Sequence, residues 1–459
     1  MSSLEAKPLN ILKTRDDHEP IEFSAEGDRF TLQAGGECSW LNTGEFGRKE
    51  LRGRIEPWLT SLFQSEHLSL LAGSGLTHAV HYLAAESSAA GMGALALSNH
   101  QAAIDQAAEK AAEAAGREKG NLEDQLRVAN ELLRGLEILQ KDNEAEALRE
   151  ELQTGMQAFA QSILSSEAGI ALAEESKREQ AFNTLVTFLM SFASRTGVRD
   201  RLNIFTTNYD RLIEAGAELA GLHLLDRFLG NLTPIFRSSR LDLDMHYNPP
   251  GIRGEPRYLE GVARYTKLHG SIDWVQTGMD IRRIGLPFGA ESVAPYIKAP
   301  GLGGATANQM MIYPNAAKDR ETADYPYVEL FRDLAAAVCR PNSTLVSYGY
   351  SFGDEHINRV IRDMLTIPST HLVVISYNDP LGRIMQTYKE LGRPSQISLL
   401  IGPALADLPT LTENYLPKAA IDKTTFRMSE LLKQRWGTQQ AYDERGPSTG
   451  VQFAEGVQQ

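Results

Sequence analysis

The feature that most constrains this chain is a set of short apolar runs that stop abruptly at glycine or at a polar cluster. The clearest is His67-Leu68-Ser69-Leu70-Leu71-Ala72, which ends at Gly73. Strand-like runs return at 202–207, 264–268, 310–313, 344–348, 372–377 and 397–401. Runs of this length without polar alternation suit strands buried on both faces, as in a parallel sheet. Helical patterns separate several of them. The expected class is therefore α/β, a Rossmann-like parallel sheet with helices on both faces.

One stretch breaks this rhythm. From 84 to 194 proline is absent, and alanine, glutamate and leucine dominate. Leu122, Leu126, Ala129, Leu133 and Leu136 fall on one helical stripe, with Asn121 as a candidate N-cap and Glu123 and Asp124 in the first turn. A later helix carries Phe182, Leu185, Leu189 and Phe192. We read an inserted helical lobe, its stripes used for core packing first and for an oligomer interface second. The expected division is an irregular N-terminal arm over 1–50, with a short strand at Phe30-Thr31-Leu32. The sheet domain takes 51–83 and 195–415, and the lobe 84–194. A C-terminal helix and a polar, disordered tail take 416–459.

Bulk properties narrow the function. The chain has 459 residues and a formal net charge of -13, the wrong sign for gripping nucleic acid non-specifically. Residues 1–13 show no apolar core of a secretory signal, and the most apolar helical segment, 181–193, is too short and too polar to span a bilayer. A cytoplasmic protein that binds neither membrane nor nucleic acid is expected. The cysteines, Cys38 and Cys339, are 2 in number and far apart, so no cysteine zinc site can be built. His78 and His81 share a helical face but lack acidic neighbours, and no metal is expected.

Chemistry concentrates in four segments, each placed where a strand ends, which is where doubly wound sheets bind ligands. Gly73-Ser74-Gly75-Leu76-Thr77 follows the first run; its glycines allow a pyrophosphate close to the backbone, or simply make a turn. His78 stands where the dinucleotide fingerprint wants its third glycine. Thr206-Thr207-Asn208-Tyr209-Asp210 follows the second run, and offers either polar ligand groups or a helix cap. Lys267-Leu268-His269-Gly270 presents an imidazole to a cleft, or buries a structural histidine. Gly349-Tyr350-Ser351-Phe352-Gly353-Asp354 precedes a helix with apolar residues at Ile357, Val360, Ile361, Met364 and Leu365. There Asp354 reads as the N-cap, and Ser351 and the glycines as ribose or phosphate contacts.

In this order the segments resemble the sirtuin-like NADase family of bacterial anti-phage defence effectors. The resemblance spans 66–402, and includes the acidic helix beginning Asn121-Leu122-Glu123-Asp124 and the motif Tyr377-Asn378-Asp379. It implies NAD as substrate and hydrolysis of the nicotinamide–ribose bond. It also implies roles for matching residues. Asn208 holds the ribose and positions water; His269 is general base or ribose-hydroxyl acceptor; Asp210 orients the nicotinamide end. Gly73, Ser74, Gly75, Thr77, Thr207 and Gly349 belong to the cofactor-binding set, with Ser351 and Asn378 on the adenosine side.

The bond breaks through an oxocarbenium-like state, and nicotinamide leaves neutral without a general acid. Two other readings stay open: a sensor that holds NAD or ADP-ribose without turnover, and a protein deacylase. The deacylase is disfavoured because its structural zinc needs four cysteines. An unregulated NADase would kill its host, so control by homo-oligomerisation or a partner is expected. By analogy with stand-alone relatives, that partner is a HerA-type hexameric ATPase.

Overall fold

Strands alternate with helices through most of the chain and build one large sheet. The computed structural model describes residues 9–418, apart from 15–16, 34–37, 42–43, 90–92, 115–119, 121, 194–199, 240–243, 248–256, 260, 304–309 and 313–324. All but Lys418 lie in the unit Met1–Pro417. The expected N-cap Asn121, the C-terminal helix and the polar tail fall outside the described residues.

The strands of the sheet are β1 (Asn10–Lys13), β2 (Ile21–Glu26), β3 (Arg29–Leu32), β4 (Glu45–Gly47), β5 (His67–Ala72) and β6 (Leu202–Thr206). They continue as β7 (His223–Leu225), β8 (Val262–Lys267), β9 (Ser343–Tyr348), β10 (His371–Ser376) and β11 (Ile397–Ile401). Their spatial order is β4-β3-β2-β1-β11-β10-β9-β5-β6-β8-β7. From β11 to β7 all neighbours are parallel. The chain leaves β5 for β6 and β8 on one side, then returns to β9 on the other. That reversal places a topological switch point between β5 and β9, where such sheets hold their ligands.

The helices are α1 (Arg48–Phe63), α2 (Ser74–Ala85), α3 (Gln101–Ala114), α4 (Leu122–Ile138), α5 (Asp142–Ala171) and α6 (Glu175–Ala193). After them come α7 (Leu212–Ala220), α8 (Tyr327–Val338), α9 (Glu355–Leu365), α10 (Arg383–Leu391), α11 (Pro403–Ala406) and α12 (Leu408–Asn414). Within β5, Leu68, Leu70 and Ala72 join a core with α1, α2, α6, α7 and α12, while Leu71 joins the opposite core with α8 and α9. β5 is thus covered on both sides, and β6 and β9 to β11 are likewise almost wholly buried, which is why these segments are mostly apolar without alternation.

The helical insertion packs in two ways. Leu122, Leu126, Ala129 and Leu136 of α4 are buried, as the stripe implied, in a core that α3, α4 and α5 share with Tyr209, with Ile272 and Val275 of Gly270–Thr277, and with the segment 284–302. Leu185, Phe188, Leu189 and Phe192 of α6 belong instead to the core of the main sheet.

Two expectations need correction. The N-terminal arm is not irregular: β1 pairs antiparallel with β11, and β2 to β4 extend that edge as an antiparallel meander. Buried polar groups anchor it. Lys13 Nζ donates to the carbonyls of Pro394 (2.6 Å) and Ile397 (3.2 Å), and Asn10 Oδ1 accepts from Ala404 N at 2.9 Å. The segment Met310–Ile312 is a strand, but it lies outside the parallel sheet. It pairs antiparallel with Gly270–Thr277 in a second, five-stranded sheet, which also holds Phe228–Leu229, Ile235–Phe236 and Asp280–Arg283. The longest strand of this small sheet, Gly270–Thr277, begins directly after His269. Among the described residues no helix is long and apolar enough to cross a membrane.

Candidate active site

At the switch point two strand-end loops touch backbone to backbone. Gly73 N donates to Tyr348 O (2.9 Å) and Gly75 N to Gly349 O (3.0 Å). A Cβ on Gly73 would stand 2.4 Å from Gly349 O, and one on Gly349 would stand 2.5 Å from the Cα of Gly75. Gly349 also has φ +61°, a conformation that L side chains rarely adopt. These glycines are therefore required by the contact between loops, and two amides expected for a pyrophosphate are already used. Ser74, exposed in the first turn of α2, is the residue of this loop that is open to a ligand. Gly349→Ala is expected to lower the melting temperature, because the left-handed backbone alone costs about 1–2 kcal/mol and the Gly75 backbone cannot move aside cheaply. A thermal melt matching wild type would contradict this account.

Beside the glycines lies a directional relay. Asn208 Nδ2 donates to Gly73 O (3.0 Å) and to Thr77 Oγ1 (2.9 Å), and Thr77 Oγ1 donates to Asp210 Oδ2 (2.7 Å). A carbonyl and a carboxylate can only accept, so every donor is fixed and the amide of Asn208 has one orientation. Both of its N–H groups are spent. Its Oδ1 is left as an acceptor without a protein partner among the described residues. Asp210 Oδ1 accepts from Leu212 N at 3.1 Å, so this carboxylate caps α7 and anchors the relay. Thr207 is half-buried, and its amide donates to Ala72 O at 3.3 Å.

The loop after β6 is held from several directions. Tyr209 O accepts from Ile272 N (3.0 Å), Ser271 Oγ (3.3 Å) and Lys267 Nζ (3.4 Å). Lys267, almost fully buried, also donates to Asp210 O and to Glu214 Oε1, the latter at 3.1 Å. Burial pushes the Glu214 carboxyl above its ordinary range, against the pull of Lys267. From the helical insertion, Glu167 of α5 grips Arg211: its Oε1 accepts from Arg211 N at 2.7 Å, and its carboxylate pairs with the guanidinium. A loop fixed this way presents its polar groups pre-organised.

His269 sits at the end of β8, with its ring centroid 6.2 Å from that of Tyr209. Its Nε2 meets Asp354 Oδ2 at 2.8 Å. Sequence reasoning placed Asp354 as an N-cap, and it is one: Oδ1 accepts from His356 N (2.9 Å) and Ile357 N (3.4 Å). The partnership with His269 went unseen. The loop 349–354 therefore touches the glycine turn with its first residue and holds His269 with its last, drawing the four segments together. Ser351 and Asn378 are exposed at the ends of β9 and β10, further along the same edge.

His78 is half-buried, and burial lowers its basicity, as does neighbouring His81, while Asp210 acts oppositely. His81 Nδ1 is bonded to Ser87 O at 2.8 Å, and its Nε2 lies where a side chain on Gly169 would stand. His81 therefore serves the packing of α2 on α5. Among the described residues no group of three or more His, Cys, Asp or Glu is placed to hold a metal ion. Cys38 and Cys339 are both free and partly buried.

Residues 202–392 match the family model of the SIR2-like domain. The match contains Asn208, Asp210, His269, Gly349, Ser351 and Asn378, and begins after the glycine loop of β5. It supports a sirtuin-like family and, with it, activity on NAD. No curated protein matches the sequence.

Proposed function

With a SIR2-like domain match and a polar site at the carboxyl edge of a Rossmann-like sheet as the premise, we propose that this protein hydrolyses the nicotinamide–ribose bond of NAD, releasing nicotinamide and ADP-ribose. The observation that carries the reading is the pairing at adjacent strand ends of Asn208, with only its carbonyl oxygen left to offer, and His269, braced by Asp354. A carbonyl oxygen suits both ribose hydroxyls or water, which donate to it, and the positive charge that grows at the anomeric carbon. As the bond breaks, nicotinamide leaves with its electron pair and becomes neutral. Water adds its oxygen to the anomeric carbon, and its proton passes to His269. The phosphates lie toward Ser74 at the start of α2, and the adenosine toward Ser351 and Asn378. Asp210 acts at the nicotinamide end through the relay that fixes Asn208.

In the cell we assign this activity to anti-phage defence in the cytoplasm, with the chain working as a homo-oligomer beside a HerA-type hexameric ATPase. The toxicity of free NAD hydrolysis supports control by assembly. Mass measurement in solution, alone and with the candidate ATPase, alongside NAD turnover tests this. A monomer at full activity that responds to no partner would refute it.

The chemical reading is tested by incubating the protein with NAD, with and without candidate partners, and following nicotinamide and ADP-ribose. His269→Ala should lower turnover by roughly 10²-fold, the scale of a lost general base, while NAD affinity falls less. Affinity that collapses with the saturated rate unchanged would make His269 a binding residue. NAD bound without nicotinamide release under every condition would leave a sensor, and release that depends on an acetyl-lysine peptide would leave a deacylase.

A further inference from the structure

The bond between His269 and Asp354 does more than hold the ring in place. Its second consequence rests on the hydrolase reading above. Asp354 is buried, and its two oxygens divide their work: Oδ1 caps α9 through the amides of His356 and Ile357, and Oδ2 faces His269 Nε2 at 2.8 Å. The amino end of a helix favours a carboxylate in its charged form. A carboxylate only accepts hydrogen bonds, so the proton of a neutral imidazole must lie on Nε2. His269 Nδ1 has no protein partner among the described residues and is the nitrogen left to take a proton.

We propose that Asp354 is a positioning residue that selects the tautomer of His269, setting Nε2–H against its own Oδ2 and leaving Nδ1 as the base toward NAD. The proton given up by the attacking water then arrives on Nδ1, and the imidazolium so formed is balanced by the carboxylate at its far side. The same loop begins at Gly349 on the glycine turn, so the base is aligned by the segment that also carries Ser351.

The two duties of Asp354 can be separated. Asn is as good an N-cap as Asp, so Asp354→Asn keeps α9 capped. Its amide N–H₂ would then face Nε2, which must accept, driving the ring proton to Nδ1 and blocking the base. The expected result is an unchanged melting temperature and an unchanged KM for NAD, with kcat lower by roughly 10²-fold, the scale of a lost general base. Asp354→Ala loses the cap as well, and the difference between its melting temperature and that of Asp354→Asn measures that duty. Long-range nitrogen–proton NMR of the histidine rings, with His269 assigned by its Ala variant, reads the tautomer without turnover. Wild type should show Nε2–H and Asp354→Asn should show Nδ1–H. A tautomer that does not move, or a kcat that survives the move, overturns the proposal. If wild type itself releases no nicotinamide, the ring signal still decides the tautomer, and it is the hydrolase reading that fails.

Discussion

Asn208→Ala is expected to all but abolish NAD cleavage, with a loss of about 10²–10³-fold, the scale of removing one electrostatic donor or acceptor from a transition state. The side chain lies beyond the end of β6 and outside the apolar cores, so the fold should survive. Its removal leaves Gly73 O without its donor from Asn208 and Thr77 Oγ1 without its incoming one, a cost of about 1–3 kcal/mol if water does not enter. Asn208→Asp is the sharper control. It keeps the carbonyl oxygen but cannot donate to Gly73 O, and it sets two carboxylates about Thr77. Both variants should be inactive and folded, shown by nicotinamide release beside a thermal melt. A folded Asn208→Ala protein that turns over NAD at the wild-type rate would remove this residue from the mechanism.

Much of the parallel sheet could be read before its coordinates, and the reason is burial on two faces. β5, β6 and β9 to β11 are wholly or almost wholly buried, so they carry apolar runs that no surface helix would show. The same argument explains the failures. β1, β3 and β4 are short, and β2 and β3 have exposed residues on one side, so their signal is a few alternations such as Ile21-Glu22-Phe23. The strands of the small sheet run from 2 residues in Phe228–Leu229 to 8 in Gly270–Thr277, and the pairings that join its two hairpins to each other and to Met310–Ile312 link segments distant in the chain. Local periodicity says nothing about such pairings.

The site was legible as a set of strand ends and illegible as a network. Glycine after a buried strand, and polar residues after the next, have a local signature. The relay from Asn208 through Thr77 to Asp210 joins residues far apart in sequence, and so does the brace from Asp354 to His269. Asp354 was visible only in its local duty as a cap. Glu167 was hidden more thoroughly. It belongs to α5, where Glu144, Glu146 and Glu150 are exposed, and nothing local marks the one that is buried.

That buried carboxylate gives the second large expected effect. Glu167 is 1% exposed and Arg211 is 6% exposed. Burial pushes the Glu167 carboxyl above its ordinary range, against the pull of the guanidinium. The guanidinium also donates to the carbonyls of Leu286 and Pro287, so one side chain ties α5, the loop after β6 and the segment that follows the strand Asp280–Arg283. Glu167→Ala would strand this cation without a counter-charge, at a cost of about 3–5 kcal/mol. It would also free the Arg211 amide, whose anchor lies three residues from Asn208. Denaturant midpoint and NAD turnover should therefore fall together. Replacing both partners by apolar residues, as in Glu167→Leu with Arg211→Met, should recover much of the stability, because no charge is then left buried. Turnover should stay low in that double variant, since the loop amide still lacks its carboxylate. A single Glu167→Ala variant within about 1 kcal/mol of wild type would show that water or another group satisfies Arg211. A stable double variant with full turnover would show that α5 does not position the catalytic loop.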